Sequence, residues 1–398
     1  MSRLIIAEVS KVRHYHSTVT DGFLKAWQQV GARSKFGKPL VFAHHSFIDC
    51  LSGEARTLAD FRTIPVIDPD KRWLVRKTLL EAWTTLRIIL SMGKKDTLIV
   101  ATIFPTALVL LEYLLRILPR RNVVVLQHNE VEAAVTTPRP RLGSYGHANL
   151  VWHRMRGRRS PIKIAVLGSW IAEGVRQFYP NSVGNDQLFV LPMPMIASAS
   201  EGQRIAPDAP LRSCFVGFNT AGKGFDTFEM LAKELPDVDF MQIGGGMLKN
   251  IRTGETRPLD DTAAFMETLA GCDVAIMPNT SGYDYTLSAA ATDALAAGLH
   301  LIAYDRKCFR AMQAAFGEDA VTICSSASEI RDKLASHEWR ERMRATRQQR
   351  LAKIDHSEFG LTNVGHALEK IFQDAPGALD RQSGSPAPAS MAKGDAAS

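Results

Sequence analysis

The chain has 398 residues, of which 45% are hydrophobic and 22% charged, and its formal net charge is +7 at pH 7. This length is typical of two domains of roughly 150–200 residues each, and the composition excludes a disordered or fibrous protein. The positive charge is too small to indicate nucleic-acid binding, and no nucleic-acid-binding motif accompanies it. A basic protein of this kind does suit work beside anionic lipid.

The apolar run at residues 4–9 is too short for a secretory signal and predicts a first strand. Five cysteines are scattered without paired spacing, and an odd number without a signal sequence favours a cytoplasmic location. Predicted strands then follow at 39–43, 98–101, 122–127, 162–167 and 188–191. Predicted helices are 22–30, 71–90, 106–118 and 171–178. This alternation indicates a mostly parallel sheet with helices on both faces.

One segment, residues 97–118, is largely apolar and long enough to suggest a membrane span. A span needs about 20 apolar residues with few or no charges, whereas this segment contains Pro105, Glu112 and Arg116. We therefore interpret it as a strand, a turn and a helix.

The second half repeats the alternation after a polar segment that is rich in turn-forming residues, which we interpret as a linker. Its predicted strands are near 213–216, 238–243, 273–277, 299–304 and 320–323, and its helices near 225–235, 261–271, 287–297, 306–316 and 327–335. The final segment is too poor in large apolar residues to fold. The predicted divisions are a first domain 1–195, a linker 196–210, a second domain 211–355, a helix within 356–375 and a disordered tail 376–398.

The second domain contains two strand–loop–helix units with small or hydroxyl residues in their loops. In the first, the strand ending at Gly217 leads into Gly222-Lys223-Gly224 and a helix beginning near Phe225. In the second, a strand ends in the turn 279–285, and the following helix closes with Asp293 to Gly298. Such units can direct two helix N-termini at one anion.

These motifs resemble the second domain of the GT-B glycosyltransferases, especially the retaining family 4. The family's Val-Gly-Arg and Lys-Gly-hydrophobic-Asp runs correspond to residues 216–218 and 223–226, and its closing Glu-Ala-hydrophobic-Ala-Ala-Gly run to 293–298. The resemblance implies an α/β fold of two Rossmann-like doubly wound parallel-sheet domains facing a cleft. It also implies a nucleotide-diphosphate sugar as donor, no metal or other cofactor, and a last helix, near 358–372, that crosses back to the first domain.

Three positions depart from the family. Phe218 replaces the arginine beside the first glycine, Asp293 replaces the closing glutamate, and the glutamate eight positions earlier falls on Tyr285, beside Asp284. The stereochemical outcome, retaining or inverting, and the donor sugar therefore stay open.

Lys223 is the strongest candidate for contact with a diphosphate, because it leaves a glycine-flanked loop after a strand. The alternative is an exposed turn. Backbone amides of the 279–285 turn are candidates to bind the leaving phosphate. Thr286 or Ser288 either caps the next helix or also reaches the ligand. Asp293 matches the family residue that contacts the ribose hydroxyls. The predicted substrate-binding residues of this half are Gly217, Asn219, Lys223, Gly244, Gly245, Ser281, Tyr283, Asp284, Tyr285, Thr286 and Asp293.

In the first half, His128 follows a strand and matches the family histidine that faces the donor sugar. Glu130 or Glu132 is a candidate general base if the reaction inverts. The loop after the first strand carries His14 and His16, which we predict to contact substrate. No cysteine or further histidine pair completes a zinc ligand set with them.

Two basic segments suggest a lipid-facing surface, with ordinary solvated faces as the alternative. They are residues 71–77 and the group Arg154, Arg156, Arg158, Arg159 and Lys163. Together these features predict a glycosyltransferase that extends a lipid-linked glycan at the inner face of the cell membrane, in exopolysaccharide or cell-surface polysaccharide biosynthesis. A non-catalytic nucleotide-sugar-binding subunit is the rival class, and an isomerase acting on a nucleotide sugar is a third.

Overall fold

The computed structural model describes residues 2–13, 16–32, 36–67, 74–136, 160–181, 183–184, 186–197, 209–220, 222–259 and 262–373. Several predicted features therefore lie outside the described residues: His14, residues 71–73, the four arginines between 154 and 159, most of the linker and the tail. The described residues form two seven-stranded sheets with helices between most successive strands. The predicted α/β class is confirmed.

The first sheet is parallel throughout and has the order β3-β2-β1-β4-β5-β6-β7. Its strands are β1 Leu4–Glu8, β2 Leu40–Ala43, β3 Asp60–Thr63, β4 Thr97–Thr102, β5 Asn122–Gln127, β6 Lys163–Val166 and β7 Leu188–Val190. Its helices are α1 Ser17–Gln29, α2 His45–Ile48, α3 Gly53–Leu58, α4 Leu74–Ser91, α5 Pro105–Leu115, α6 Glu130–Thr136 and α7 Ser169–Phe178.

The second sheet has the order β11-β10-β9-β8-β12-β13-β14, in which β10 and β11 are antiparallel and the other strands parallel. Its strands are β8 Leu211–Val216, β9 Val238–Gly244, β10 Met247–Asn250, β11 Thr256–Pro258, β12 Val274–Met277, β13 His300–Tyr304 and β14 Val321–Cys324. Its helices are α8 Phe225–Glu234, α9 Thr262–Ala270, α10 Ala289–Ala296, α11 Lys307–Phe316, α12 Ala327–Ala335, α13 His337–Ala345 and α14 Arg347–His356.

The central strands of both sheets are buried because helices cover them. β4 and β5 are buried along their full length, as the continuous apolar run of a doubly covered strand requires. The apolar segment 97–118 divides into β4 and α5, and none of the helices in the described part of the chain is long and apolar enough to cross a membrane.

A last helix, α15 Leu361–Gln373, returns to the first sheet and packs on α1. Phe372 meets Trp27 with ring centroids 5.5 Å apart, and Asn122 donates from Nδ2 to the carbonyl of Ile371 at 3.3 Å. A Cβ on Gly365 would lie 2.5 Å from the carbonyl oxygen of Ala26, so glycine is what allows the two helices to approach so closely. The chain thus starts and, in its described part, ends on the same sheet.

Candidate functional site

The loops that follow β8 and β12 are joined at the carboxyl edge of the second sheet. The amides of Thr280 and Ser281 donate to the carbonyl of Gly222, at 2.9 and 3.3 Å. Gly224 precedes α8 in the left-handed region, with φ of 72°, and a Cβ there would collide with the carbonyl of Pro278. Glycine at this position is therefore required for the two loops to form one continuous surface.

Lys223 lies on this surface, partly buried, and its ammonium group is above Gly217. A Cβ on Gly217 would be 3.1 Å from Lys223 Nζ, so the bare glycine leaves space for the cation. Burial lowers the pKa of Lys223, and within the described ranges no carboxylate forms an ion pair with it. A partly desolvated cation without a counter-charge is what an anion-binding position needs.

Gly244 and Gly245, which are predicted to contact the nucleotide, lie close to the backbone and side chain that follow β8. A Cβ on Gly244 would lie 2.7 Å from the Cα of Gly217, so the ends of β8 and β9 are nearly in contact. Gly245 packs beside the ring of Phe218, which is 52% exposed. Asn219 and Ser281 are exposed on the same rim.

The turn before α10 is held mainly by Arg306, which the motif analysis did not select. Its Nε donates to the carbonyl of Asn279 at 3.2 Å, its Nη2 donates to the carbonyl of Thr280, and its guanidinium lies 3.7 Å from Asp284. Tyr283 adopts the left-handed region with φ of 67°. An arginine directly after a strand of a parallel sheet is a signal that could have placed Arg306 at this edge.

Ser288, rather than Thr286, caps α10: its hydroxyl accepts from the amide of Ala291 at 3.3 Å. The Thr286 hydroxyl crosses to the first sheet, where it donates to the carbonyl of His128 at 3.0 Å and is 2.7 Å from Asn129 Oδ1. Thr286 therefore joins the two halves of the molecule.

A second cross-link joins Glu132 of α6 to the same turn. Its carboxylate accepts from the amide of Tyr285, and burial raises the pKa of Glu132. The Tyr285 ring packs edge-on against Phe178, with centroids 5.4 Å apart, and against the bare face of Gly174. One amide predicted for phosphate contact is thus bound by a carboxylate in this arrangement.

Two imidazoles lie at the carboxyl edge of the first sheet. The rings of His16 and His128 meet edge-on with centroids 4.5 Å apart, and burial lowers the pKa of both. His128 Nε2 is 2.9 Å from the carbonyl of Ala101, which can only accept, so this nitrogen carries the proton. Glu130 accepts from the amide of His128 at 2.7 Å and so fixes the same turn.

Three buried polar atoms at these two edges have no hydrogen-bond partner among the described residues. They are His16 Nδ1, Gln127 Oε1 and Asn279 Oδ1. Buried polar atoms are normally satisfied, and these three lie beside predicted site residues of both sheets. The arrangement can therefore accept hydrogen bonds from, or donate them to, a polar ligand that reaches between the sheets.

Asp293 lies on α10, and no other described side chain forms a hydrogen bond or ion pair with it. Burial raises its pKa to about 7. In the described ranges no three His, Cys, Asp or Glu side chains are grouped to hold a metal ion. The structure thus places Lys223, Gly217 and Gly244 at the edge of the second sheet and His16 and His128 at the edge of the first, with the bond between Glu132 and Tyr285 joining the two halves.

No protein-family model matches this sequence, and no curated protein is significantly similar to it in sequence. Its structure does have close parallels among solved structures. WaaG, a glycosyltransferase involved in lipopolysaccharide biosynthesis, is 14% identical with a TM-score of 0.60, and the match covers 94% of this chain and 100% of WaaG. Alr3699/HepE of Anabaena, in complex with UDP and glucose, is 12% identical with a TM-score of 0.59, covering 93% and 99%.

Sucrose-phosphate synthase from Thermosynechococcus elongatus matches at 12% identity with a TM-score of 0.64, covering 96% of this chain and 99% of that one. The fold is GT-B. Lys223 follows β8 of the second sheet, and His128 follows β5 of the first.

Proposed function

We propose that this GT-B protein is a glycosyltransferase that uses a nucleotide-diphosphate sugar as donor. The observation that carries the proposal is Lys223, a half-buried cation without a counter-charge in the described ranges, held over Gly217 at the carboxyl edge of the second sheet. A diphosphate supplies the missing negative charge. Alr3699/HepE, which shares the fold, was crystallised with UDP and glucose, and this supports the choice of ligand.

In the proposed reaction, the bond between the sugar C1 and the diphosphate breaks, and an acceptor hydroxyl oxygen bonds to C1. Lys223 and the N-terminus of α8 stabilise the charge that develops on the leaving diphosphate. His16 and His128 are neutral donors or acceptors for the sugar hydroxyls. The acceptor proton passes to Glu130 or Glu132 in an inverting reaction, or to the leaving phosphate in a retaining one.

For the acceptor we propose a lipid-linked glycan, at the inner face of the membrane, in exopolysaccharide or cell-surface polysaccharide synthesis. WaaG, of the same fold, is involved in lipopolysaccharide biosynthesis, and this supports a glycan acceptor. The rival function is a binding subunit without turnover. Phe218 in the arginine position and the Glu132 carboxylate on the amide of Tyr285 favour that alternative.

Calorimetry with nucleoside diphosphates tests the donor site. We expect Lys223→Ala to weaken binding about tenfold or more, because a charge-assisted hydrogen bond contributes roughly 1.5–3 kcal/mol. Lys233→Ala is the matched control, since Lys233 is an exposed lysine at the end of α8. Equal affinity of the wild type and Lys223→Ala for every common nucleoside diphosphate would refute the site.

A second measurement separates the enzyme from the binding subunit. Incubation of the wild type with nucleotide sugars and cell-derived lipid extract is followed by mass spectrometry of the products. Glycosylated lipid supports the transferase, whereas tight binding of a nucleotide sugar without turnover favours the binding subunit.

A further inference from the structure

An unusual surface lies on α4 and α5, on the outer side of the first sheet. Seven of the eleven large hydrophobic side chains that are exposed in the described ranges fall between residues 74 and 117. They are Leu74, Val75, Leu79, Trp83 and Leu90 of α4, Tyr113 of α5, and Ile117 just after it. We call these residues the α4–α5 face.

The apolar side chains of α4 form a stripe. Val75, Leu79, Trp83 and Leu90 fall within an arc of roughly 80° on a helix with 3.6 residues per turn, and their exposed fractions range from 55% to 70%. The side of α4 that packs on the sheet is a separate set, which includes Ala82, Thr85, Ile88 and Ile89. The outer stripe is therefore not required to bury α4 against its own domain.

The two helices form one surface because they are in direct contact. The hydroxyls of Thr78 and Thr106 are 2.5 Å apart, and the Lys77 ammonium lies 5.3 Å from the centre of the Phe104 ring. On α5 and its end, Tyr113 and Ile117 are spaced by four residues and so project from the same side of the helix. They add a second apolar row beside the α4 stripe.

The charge on this surface is mostly positive. Residues 74–121 contain eight Lys or Arg and only three acids, Glu81, Asp96 and Glu112. Glu81 and Glu112 are buried, and Asp96 accepts from the amides of Arg3 and Gly93 at 2.9 and 2.7 Å. The exposed cations that accompany the apolar rows are Arg76, Arg87, Lys94, Lys95 and Arg120.

We propose that the α4–α5 face docks on the surface of an anionic phospholipid bilayer. Exposed apolar rows with Trp and Tyr beside a mostly basic surround are what an interfacial protein presents to lipid head groups and upper acyl chains. A second copy of this chain fits less well, because a symmetric contact would bring two basic surrounds together. Basic side chains near an anionic surface add an electrostatic attraction to the apolar contact.

The location of the α4–α5 face would place a docked bilayer near the candidate site; this step rests on the glycosyltransferase function proposed above. Glu81, on the inner side of α4, accepts from the amide of Phe104 at 2.6 Å, where β4 leads into α5. The N-terminal part of the stripe therefore lies beside the carboxyl edge of the first sheet, the edge that carries His128. A bilayer on this face holds a lipid-linked acceptor next to the cleft.

Sedimentation with phospholipid vesicles tests docking without any substrate. We expect the full chain to bind vesicles that contain phosphatidylglycerol and phosphatidylcholine, and to bind pure phosphatidylcholine vesicles far more weakly. Binding should also fall as salt is raised, because screening weakens the charge term. The double variant Leu79→Gln/Trp83→Gln should lower the partition coefficient at least tenfold, since two apolar side chains that would enter the bilayer interface are replaced by polar ones.

The matched control is Met230→Gln/Met247→Gln, which changes two exposed apolar residues of the second domain, 38% and 43% exposed. It should bind vesicles as the wild type does. Thermal unfolding checks that both double variants are folded, and a second variant, Arg87→Glu/Lys94→Glu, tests the charge term without touching an apolar residue. It too should lose vesicle binding.

The proposal would be overturned if the wild-type chain did not bind phosphatidylglycerol vesicles, or if the variants of the α4–α5 face bound them as the control variant does. A wild-type dimer that becomes monomeric in Leu79→Gln/Trp83→Gln, without vesicle binding, would assign the face to a second copy instead. Donor binding by calorimetry is measured on the same variants. Failure of docking with intact donor affinity leaves the proposed activity standing, and equal donor affinity of the wild type and Lys223→Ala refutes the donor site but leaves docking standing.

Discussion

Glu8 is a charged group in a place that disfavours charge. It ends β1, is fully buried, and accepts hydrogen bonds from Thr20 and Thr102, both at 2.8 Å. The two hydroxyls and Lys11 favour the ionised carboxylate, but burial outweighs them and raises the pKa of Glu8 to about 7. Near neutral pH this carboxyl therefore changes between its protonated and its ionised form.

The stability of the fold should fall as pH rises through this range. The folded pKa of about 7 exceeds the ordinary 4.5, so between these values the folded state holds a proton that the unfolded chain releases. The contribution of Glu8 is fully present below pH 4.5 and is lost as pH rises through 7, by up to about 3 kcal/mol. Glu8→Gln should remove that part of the slope, as measured by chemical denaturation at pH 5, 6, 7 and 8.

Asp293, whose pKa is also raised, contributes a slope of the same sign to both proteins, so the difference between them isolates Glu8. Glu173→Gln, at an exposed position of α7, is the control and should follow the wild type. If the stabilities of wild type and Glu8→Gln run parallel from pH 5 to 8, the carboxyl titrates at its ordinary pKa and the argument fails.

The residues of the first-domain edge should differ in their effect on turnover. His128→Ala should lower kcat strongly with little change in nucleotide affinity or Tm, because we propose that this side chain contacts the transferred sugar. A loss of about 10²–10⁴ in rate at Glu130→Gln or Glu132→Gln would mark that residue as the base. Small losses of rate at both glutamates, in an active preparation, indicate a retaining reaction. If none of the three variants loses activity, this edge of the sheet is not part of the active site.

At the level of elements, α7 packs closely against the turn before α10 because α7 has a glycine at the contact. A Cβ on Gly174 would collide with the ring of Tyr285, which is 8% exposed at the contact between the domains. We expect Gly174→Ala to separate the two domains there and to raise the radius of gyration measured by small-angle X-ray scattering. The double variant Gly174→Ala/Tyr285→Ala should restore the wild-type value, because the space is available again.

Gly184→Ala, at an exposed position after α7, serves as a further control for the loss of a glycine. An unchanged radius of gyration in Gly174→Ala, with wild-type stability, would mean that the contact between α7 and the turn does not hold the domains together.

The helices and strands differ in how well they can be predicted from their sequences. β4 and β5 are uninterrupted apolar runs, so the alternation that predicts the two sheets is confirmed. β3, with the sequence Asp-Phe-Arg-Thr, and the hairpin of β10 and β11 are polar edge strands, and pattern alone does not distinguish them from loops. α1 begins at Ser17, five residues before its predicted start, since Thr20 and Asp21 lie on its buried side.

The candidate site shows a similar limit. Lys223 and the glycines around it are a local pattern, so the sequence could place them together. The bonds from Glu132 to Tyr285 and from Thr286 to His128 join residues more than 150 positions apart, and no local pattern encodes that pairing. Which amides of the 279–285 turn face the cleft is decided by this tertiary contact.

At the scale of the whole molecule, the chain passes between the two sheets twice. The first passage lies between β7 and β8, and the second between α14 and α15. The amide of Met195, on the first passage, donates to the carbonyl of Phe359, on the second, at 2.9 Å. This hydrogen bond therefore brings the described part of the first passage into contact with the second.

Two covalent connections that are in contact at one point restrict how the two domains can move relative to each other. Bending at this contact requires changes in only a few backbone dihedral angles near Met195 and Phe359. The domains should therefore swing about a single axis near Met195 and Phe359, and the cleft should gape most at the side farthest from that axis. A donor would enter and a spent nucleotide would leave by that side.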